Sequence, residues 1–300
     1  MKVIAVMSEK GGIGKTTTAA ALAEILANWD AHVLAIDADQ QGNLSALFGA
    51  DDPEQGGLSQ LLEATNKEVK ISDVIRTTSN ARVDIITANG YLQQTNIEIA
   101  TDDVNDQAHR LKEALGQLYG PLGLDTYDFV ICDCGLVIDM AVLNVLVAAD
   151  LVIAPTKPGG FEAEALVRMR DRVAQLEPLN PELELRALVT MCGGSKANVQ
   201  AEEWIKRASG VKAYMATIHR SVIAEKYTAA RMPLPRFSPR CKAAKDYERL
   251  VIEIIMEEAA QQAAELVKKN KITLPEGLLE VLNKTGSQSD TRLENGTCLI

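Results

Sequence analysis

The chain has 300 residues, 47% of them hydrophobic, and carries 31 basic against 41 acidic side chains for a formal net charge of −10. This is enough apolar mass for a substantial core, and the length allows one or two domains. Five cysteines, an odd number, argue against a disulfide framework, no run reaches the roughly eighteen apolar residues of a membrane span, and no leader precedes the first strand, so the expectation is a cytoplasmic protein.

The first element is the apolar run Lys2 to Met7, suited to a buried parallel strand. Residues 8 to 17 follow as Ser-Glu-Lys-Gly-Gly-Ile-Gly-Lys-Thr-Thr, and Thr16 to Ala27 reads as a helix rich in alanine and leucine, without glycine or proline. A glycine-rich turn between a strand and a helix N-terminus aims backbone N–H groups and the positive end of the helix dipole at an anion, so a polyphosphate is the expected ligand. Lys15 is placed against the β- and γ-phosphates and Thr16 on Mg²⁺, with Gly11, Gly12, Ile13, Gly14 and Thr17 completing the cradle. The strict G-x-x-x-x-G-K-[ST] pattern fails at its first glycine, where Glu9 stands, and a second lysine, Lys10, is added.

Further along, His32 to Asp37, Val83 to Ala88, Asp128 to Asp133, Leu151 to Pro155 and Leu185 to Met191 are short aliphatic runs, most followed by helical stretches. This alternation predicts an α/β fold, a doubly wound and mainly parallel sheet with helices on both faces. Ligands of such sheets bind beyond the C-terminal strand ends, where Asp37, Asp133 and Thr190 fall. Asp37 and Asp39 can support a Mg²⁺ shell or orient an attacking water. Asp133 closes a run with the form of a Walker B strand and is a third candidate for the metal shell. Cys132 and Cys134 flank it without a second pair or a nearby histidine, a poor zinc or iron–sulfur framework. The three histidines are scattered and no nucleophile–base pair is evident, so the chemistry expected is water attacking a phosphate, catalysed by positioning and charge. Cys241 to Lys269 reads as one long helix, and the polar residues 270–300 as a mobile tail with a short Pro275 to Leu282 helical segment. The domain expectation is therefore 1–269 plus that tail.

With these residues assembled, the chain resembles the ParA/MinD class of P-loop ATPases, whose deviant Walker A loop reads K-G-G-x-G-K-[ST]. The resemblance spans residue 1 to about 260, and Asp37-Ala-Asp39-Gln40-Gln41-Gly42-Asn43 is similar to the D-x-D-P-Q-G-N signature of ParA partition proteins. It implies ATP and Mg²⁺ as cofactors, Lys10 reaching the nucleotide of a partner subunit in an ATP-dependent homodimer, and Asp39 positioning the attacking water. It also implies that Thr190-Met191 and Met232-Pro233 border the adenine. Residues 218–250 resemble a ParA C-terminal pattern, with His219 where the family has proline and Cys241 where it has serine; Gln40 and the Gly135-Leu136 pair after Cys134 are further departures.

Charge is unevenly spread. Residues 196–249 carry a net +7 and the rest of the chain −17, an asymmetry suited to contact with a phosphate backbone. Arg220, Arg240, Lys242 and Lys245 are the candidate contacts, and with few interleaved aromatics the binding expected is to non-specific double-stranded DNA. The resemblance adds a centromere-binding ParB-type partner that stimulates hydrolysis and a nucleoid-associated location, without a membrane. A ParA-like positioner of protein cargo, a MinD-like membrane regulator and an iron–sulfur carrier ATPase are the competing readings.

Overall fold

The computed structural model describes residues 1–52, 56–63, 69–102, 107–118, 126–270, 292–294 and 297–299. Its centre is an eight-stranded sheet formed by β1 (Lys2–Val6), β2 (Val33–Ala38), β3 (Ile75–Thr77), β4 (Val83–Ile86), β5 (Phe129–Cys134), β6 (Leu151–Thr156), β7 (Glu184–Cys192) and β8 (Lys212–His219). The spatial order is β3-β4-β2-β5-β1-β6-β7-β8. Every pairing is parallel except β3 with β4 at one edge. The doubly wound sheet expected from the alternating runs is therefore present.

Strand β1 lies between β5 and β6, and Ile4, Ala5 and Val6 are completely buried, which requires cover on both faces of the sheet. Val3, Ala5 and Met7 share one core with Leu34, Ile36, Val130 and Cys132 and with the helices Met140–Ala148 and Leu92–Ala100. The run Lys15–Asn28, helix α1, buries Leu22, Ile25 and Leu26. It contains no glycine or proline, and its alanines let the helix lie close to its neighbours.

Two strands of this sheet fall outside the expected runs, as do the two short strands in the stretch expected as a tail. β3 has only three residues, too few for a periodic signal, and β8 mixes Lys212, Thr217 and His219 with its apolar residues and pairs irregularly with β7. The long helix spans Lys242–Asn270, one residue later than expected at each end. The chain divides into two compact units, Met1–Tyr247 and Glu248–Ile300, the division falling inside this helix. Arg292–Glu294 and Thr297–Leu299 pair as short antiparallel strands. The Pro275 to Leu282 segment and most of the expected tail lie outside the described residues. No helix among the described residues is long and apolar enough to cross a membrane.

Candidate phosphate-loop site

The loop leaves the C-terminal end of central β1 and enters α1 at Lys15. Gly12 and Gly14 take φ of 65° and 93°, a region that side-chain-bearing residues avoid, and Gly14 is the N-cap of α1. No atom lies within 4 Å of where a Cβ on Gly11 or Gly12 would stand, so the mouth of the loop is open. Three long-range bonds fasten its floor: the Thr190 hydroxyl donates to the Ile13 carbonyl at 2.9 Å, Thr17 and Tyr227 share a hydroxyl hydrogen bond of 2.7 Å, and Thr18 and Tyr247 share one of 3.0 Å. Glu9, the residue replacing the expected glycine, pairs with Arg172 at 2.9 Å. Its side chain thus ties the loop to the helix Gly160–Ala174.

Lys15 is buried and its Nζ lies 3.4 Å from the Lys10 carbonyl. Burial pushes its pKa down, while Asp133 and Asp39 act against that shift. Asp37 and Asp133 are opposed in the β2–β5 register and both are wholly buried. Asp37 accepts from the backbone N–H and hydroxyl of Ser45, each at 2.8 Å, and from the Asp39 N–H at 3.2 Å. Burial still lifts its pKa to about 6, against those hydrogen bonds. Asp133 is lifted well above the carboxylate range, first by burial and then by Asp37. Neither of its oxygens has a hydrogen bond of good geometry; the nearby Thr16 hydroxyl and Lys15 favour its ionised form without overcoming burial.

An orphaned, desolvated carboxylate beneath a threonine and a lysine is short of positive charge, and this is the donor set a magnesium–phosphate group would complete. Among the described residues no three His, Cys, Asp or Glu side chains are grouped to hold a metal unaided. A cation here would therefore depend on phosphate oxygens as well as on Thr16, Asp133 and Asp37. Burial raises the pKa of both Cys132 and Cys134, so neither is a ready thiolate.

Two clefts flank the loop and share Gly12, Gly14 and Thr17. One, of ≈ 420 Å³, is lined by Lys15, Thr16, Asp39, Tyr227 and Arg231 among others. The second, of ≈ 580 Å³, includes Ile13, Thr190, Met191, His219 and Tyr247, a volume in the range of small-molecule sites. Met191 and Arg231 are non-glycine residues at positive φ, 52° and 48°, one in each cleft. Such strain concentrates at functional sites. Of the residues expected around the base, Thr190 and Met191 line the second cleft, whereas Leu234 lines it in place of Met232 and Pro233.

The four candidate DNA contacts are all exposed. Arg240, Lys242 and Lys245 lie around the start of the long helix, and Arg220 lines the larger cleft together with Ala243 and Tyr247 of that helix. Several charges of the basic stretch are spent internally. Arg236 grips the buried Glu24 through two bonds of 2.9 and 2.7 Å, Arg231 pairs with Asp51 at 2.7 Å, and Lys206 pairs with Glu202 at 3.2 Å. Sequence reasoning missed Tyr227, Tyr247, Arg231 and the His219–Asp246 pair, because each reaches the site from far along the chain.

The fold and the loop together define a doubly wound phosphate-loop protein of the deviant Walker A class. A family model described as an AAA domain, AAA_31, matches residues 1–185, and the chain belongs to that family. It is similar to the chromosome partitioning protein ParA of Caulobacter vibrioides, 29% identical over 268 residues that cover 88% of this chain and 97% of that protein. It is also similar to the sporulation initiation inhibitor protein Soj of Bacillus subtilis, 28% identical over 258 residues, or 84% and 98% of the two chains. In structure it is similar to cobyrinic acid a,c-diamide synthase of Mycobacterium smegmatis, solved with a bound ATP analogue and magnesium. That likeness has a TM-score of 0.72 at 23% identity over 86% of this chain and 96% of that one, and it shows a shared fold.

Proposed function

We propose that this chain is a magnesium-dependent ATPase that closes into a dimer on ATP, binds DNA without sequence preference in that state, and partitions plasmid or chromosomal DNA. A ParB-type partner bound to the cargo stimulates its hydrolysis. One observation carries the reading: a phosphate loop with two lysines, Lys10 and Lys15, stands over a buried carboxylate, Asp133, that has no hydrogen bond of good geometry. The names of the ParA and Soj relatives support DNA as the cargo. In this reading residues 1–269 are the ATPase domain, residues 270–300 are a tail, and the protein works in the cytoplasm on the nucleoid.

The roles follow from the placement. Backbone N–H groups of residues 11–17 and the N-terminus of α1 hold the phosphates. Lys15 neutralises them, and its suppressed pKa recovers when an anion arrives. Thr16, Asp133 and Asp37 hold the magnesium ion, which supplies charge to the phosphate oxygens when bound. Asp39, part-exposed in the phosphate cleft with one oxygen accepting from the Gln41 N–H at 3.1 Å, orients the attacking water. Lys10 belongs to the same loop and makes no ion pair among the described residues, and two triphosphates facing each other across a two-fold axis need intervening positive charge.

Lys15→Ala is expected to abolish ATP binding, and Lys10→Ala to keep much of it while losing ATP-dependent dimerisation and DNA binding. Light scattering and DNA retention with ATP, with ADP and without nucleotide, across a salt series, read this out. Dimers of undiminished stability in Lys10→Ala would remove the cross-dimer role. Nucleoid binding that moves a protein complex and no DNA would replace the cargo.

A further inference from the structure

His219 stands in the wall of the ≈ 580 Å³ cleft that opens from the phosphate loop, with Thr190, Met191 and Ile218. Its ring is held from behind. Nδ1 lies 2.8 Å from Asp246 Oδ2, and the same oxygen accepts the His219 backbone N–H at 3.0 Å. The Asp246 side chain is 1% exposed and the His219 side chain 34%, so the carboxylate is enclosed and the imidazole faces outward.

The chemistry of this pair fixes the tautomer. An ionised carboxylate can only accept, so the 2.8 Å contact needs the proton on Nδ1. A neutral imidazole that donates from Nδ1 carries a lone pair on Nε2, on the edge of the ring turned away from Asp246. In the neutral ring, and not in the imidazolium, whose Nε2 would donate, His219 presents a hydrogen-bond acceptor from the cleft wall. An adenine attached to ribose has ring nitrogens that only accept, and its 6-amino group is the only conventional donor on its edge.

On the reading that the phosphate loop binds ATP, we infer that His219, positioned by Asp246, is a specificity-determining residue that accepts a hydrogen bond from the adenine 6-amino group.

The test compares three ligands: ATP, purine riboside 5′-triphosphate, which lacks only the amino group, and inorganic tripolyphosphate. Wild-type protein is expected to bind ATP more tightly than the des-amino analogue by about three- to tenfold, the range of one net hydrogen bond. His219→Ala removes that preference and leaves tripolyphosphate binding unchanged. Asp246→Asn, whose carbonyl oxygen can still accept from Nδ1 and from the backbone N–H, keeps the preference, and Asp246→Ala loses it. A merely structural role would weaken all three ligands together. The inference is overturned if wild-type protein shows no preference for ATP over the des-amino analogue, or if His219→Ala retains it. Failure of wild-type protein to bind any of the three ligands would instead remove the nucleotide reading, and this inference with it.

Discussion

Asp133→Asn tests whether the floor of the loop stores free energy that a ligand releases. The wild-type carboxylate is wholly buried, opposed to Asp37 across β2–β5, and has neither oxygen well hydrogen-bonded. Leaving such a group unsatisfied costs about 1–3 kcal/mol, more when it is ionised, and asparagine keeps the shape without the charge. The ligand-free variant should therefore be more stable than wild type by about 2 kcal/mol, or roughly 4–8 °C in Tm for a unit of this size. The gain should depend on pH with a definite sign. A carboxyl whose folded pKa is raised binds more protons folded than unfolded, so wild-type stability falls as pH rises from the ordinary carboxylate value through the raised one. Asp133 is raised well above that value and Asp37 to about 6, so the advantage of Asp133→Asn should be small near pH 4 and grow toward pH 8. Thermal melts without nucleotide at a series of pH values measure this, and melts with Mg-ATP should reverse the order, because only wild type has the charge the cation uses. A ligand-free Asp133→Asn protein that melts below wild type at pH 8 would refute the argument.

Arg236→Ala should cost about 3 kcal/mol by leaving the enclosed Glu24 charge unpaired. Because Arg236 is committed to that pair, the folded variant should retain ATP-dependent DNA binding in filter retention; an unchanged Tm with weakened DNA binding would reverse its assignment. Gly14→Ala should destabilise the apo protein by about 1–2 kcal/mol, since an L-residue resists φ of 93°, and should reduce tripolyphosphate affinity in calorimetry. Gly11→Ala, with no atom within 4 Å of its added methyl, should leave apo stability within about 0.5 kcal/mol; equal losses from both substitutions would show that φ is not what the loop needs at Gly14.

The phosphate loop was legible because its information is local: strand, glycines and helix lie within residues 2–28, and each segment restricts its own backbone. Asp37 and Asp133 could each be picked out as the acid closing an aliphatic run. Their confrontation depends on β5 inserting between β1 and β2, and no periodicity in the chain specifies that order. Charge counting fared worst. It treated Arg231 and Arg236 as free surface cations, although their partners, Asp51 and Glu24, lie 180 and 212 residues away. His219 looked like an isolated substitution until β8 brought it against Asp246 on the long helix. In each case the missing information was a long-range pairing, which sequence spacing does not encode.

The fastenings of the loop floor also have a consequence for synthesis. Ile13, Thr17 and Thr18 are held by Thr190, Tyr227 and Tyr247, at separations of 177, 210 and 229 residues. At about 5–20 residues per second, the ribosome makes the loop roughly ten to fifty seconds before it makes Tyr247. Until Thr190 is made the chain contains the whole loop and none of the three groups that hold it in shape, and the last of them is missing until Tyr247. The fastening of the loop is therefore completed late in translation, by residues that lie beyond those matched by the family model.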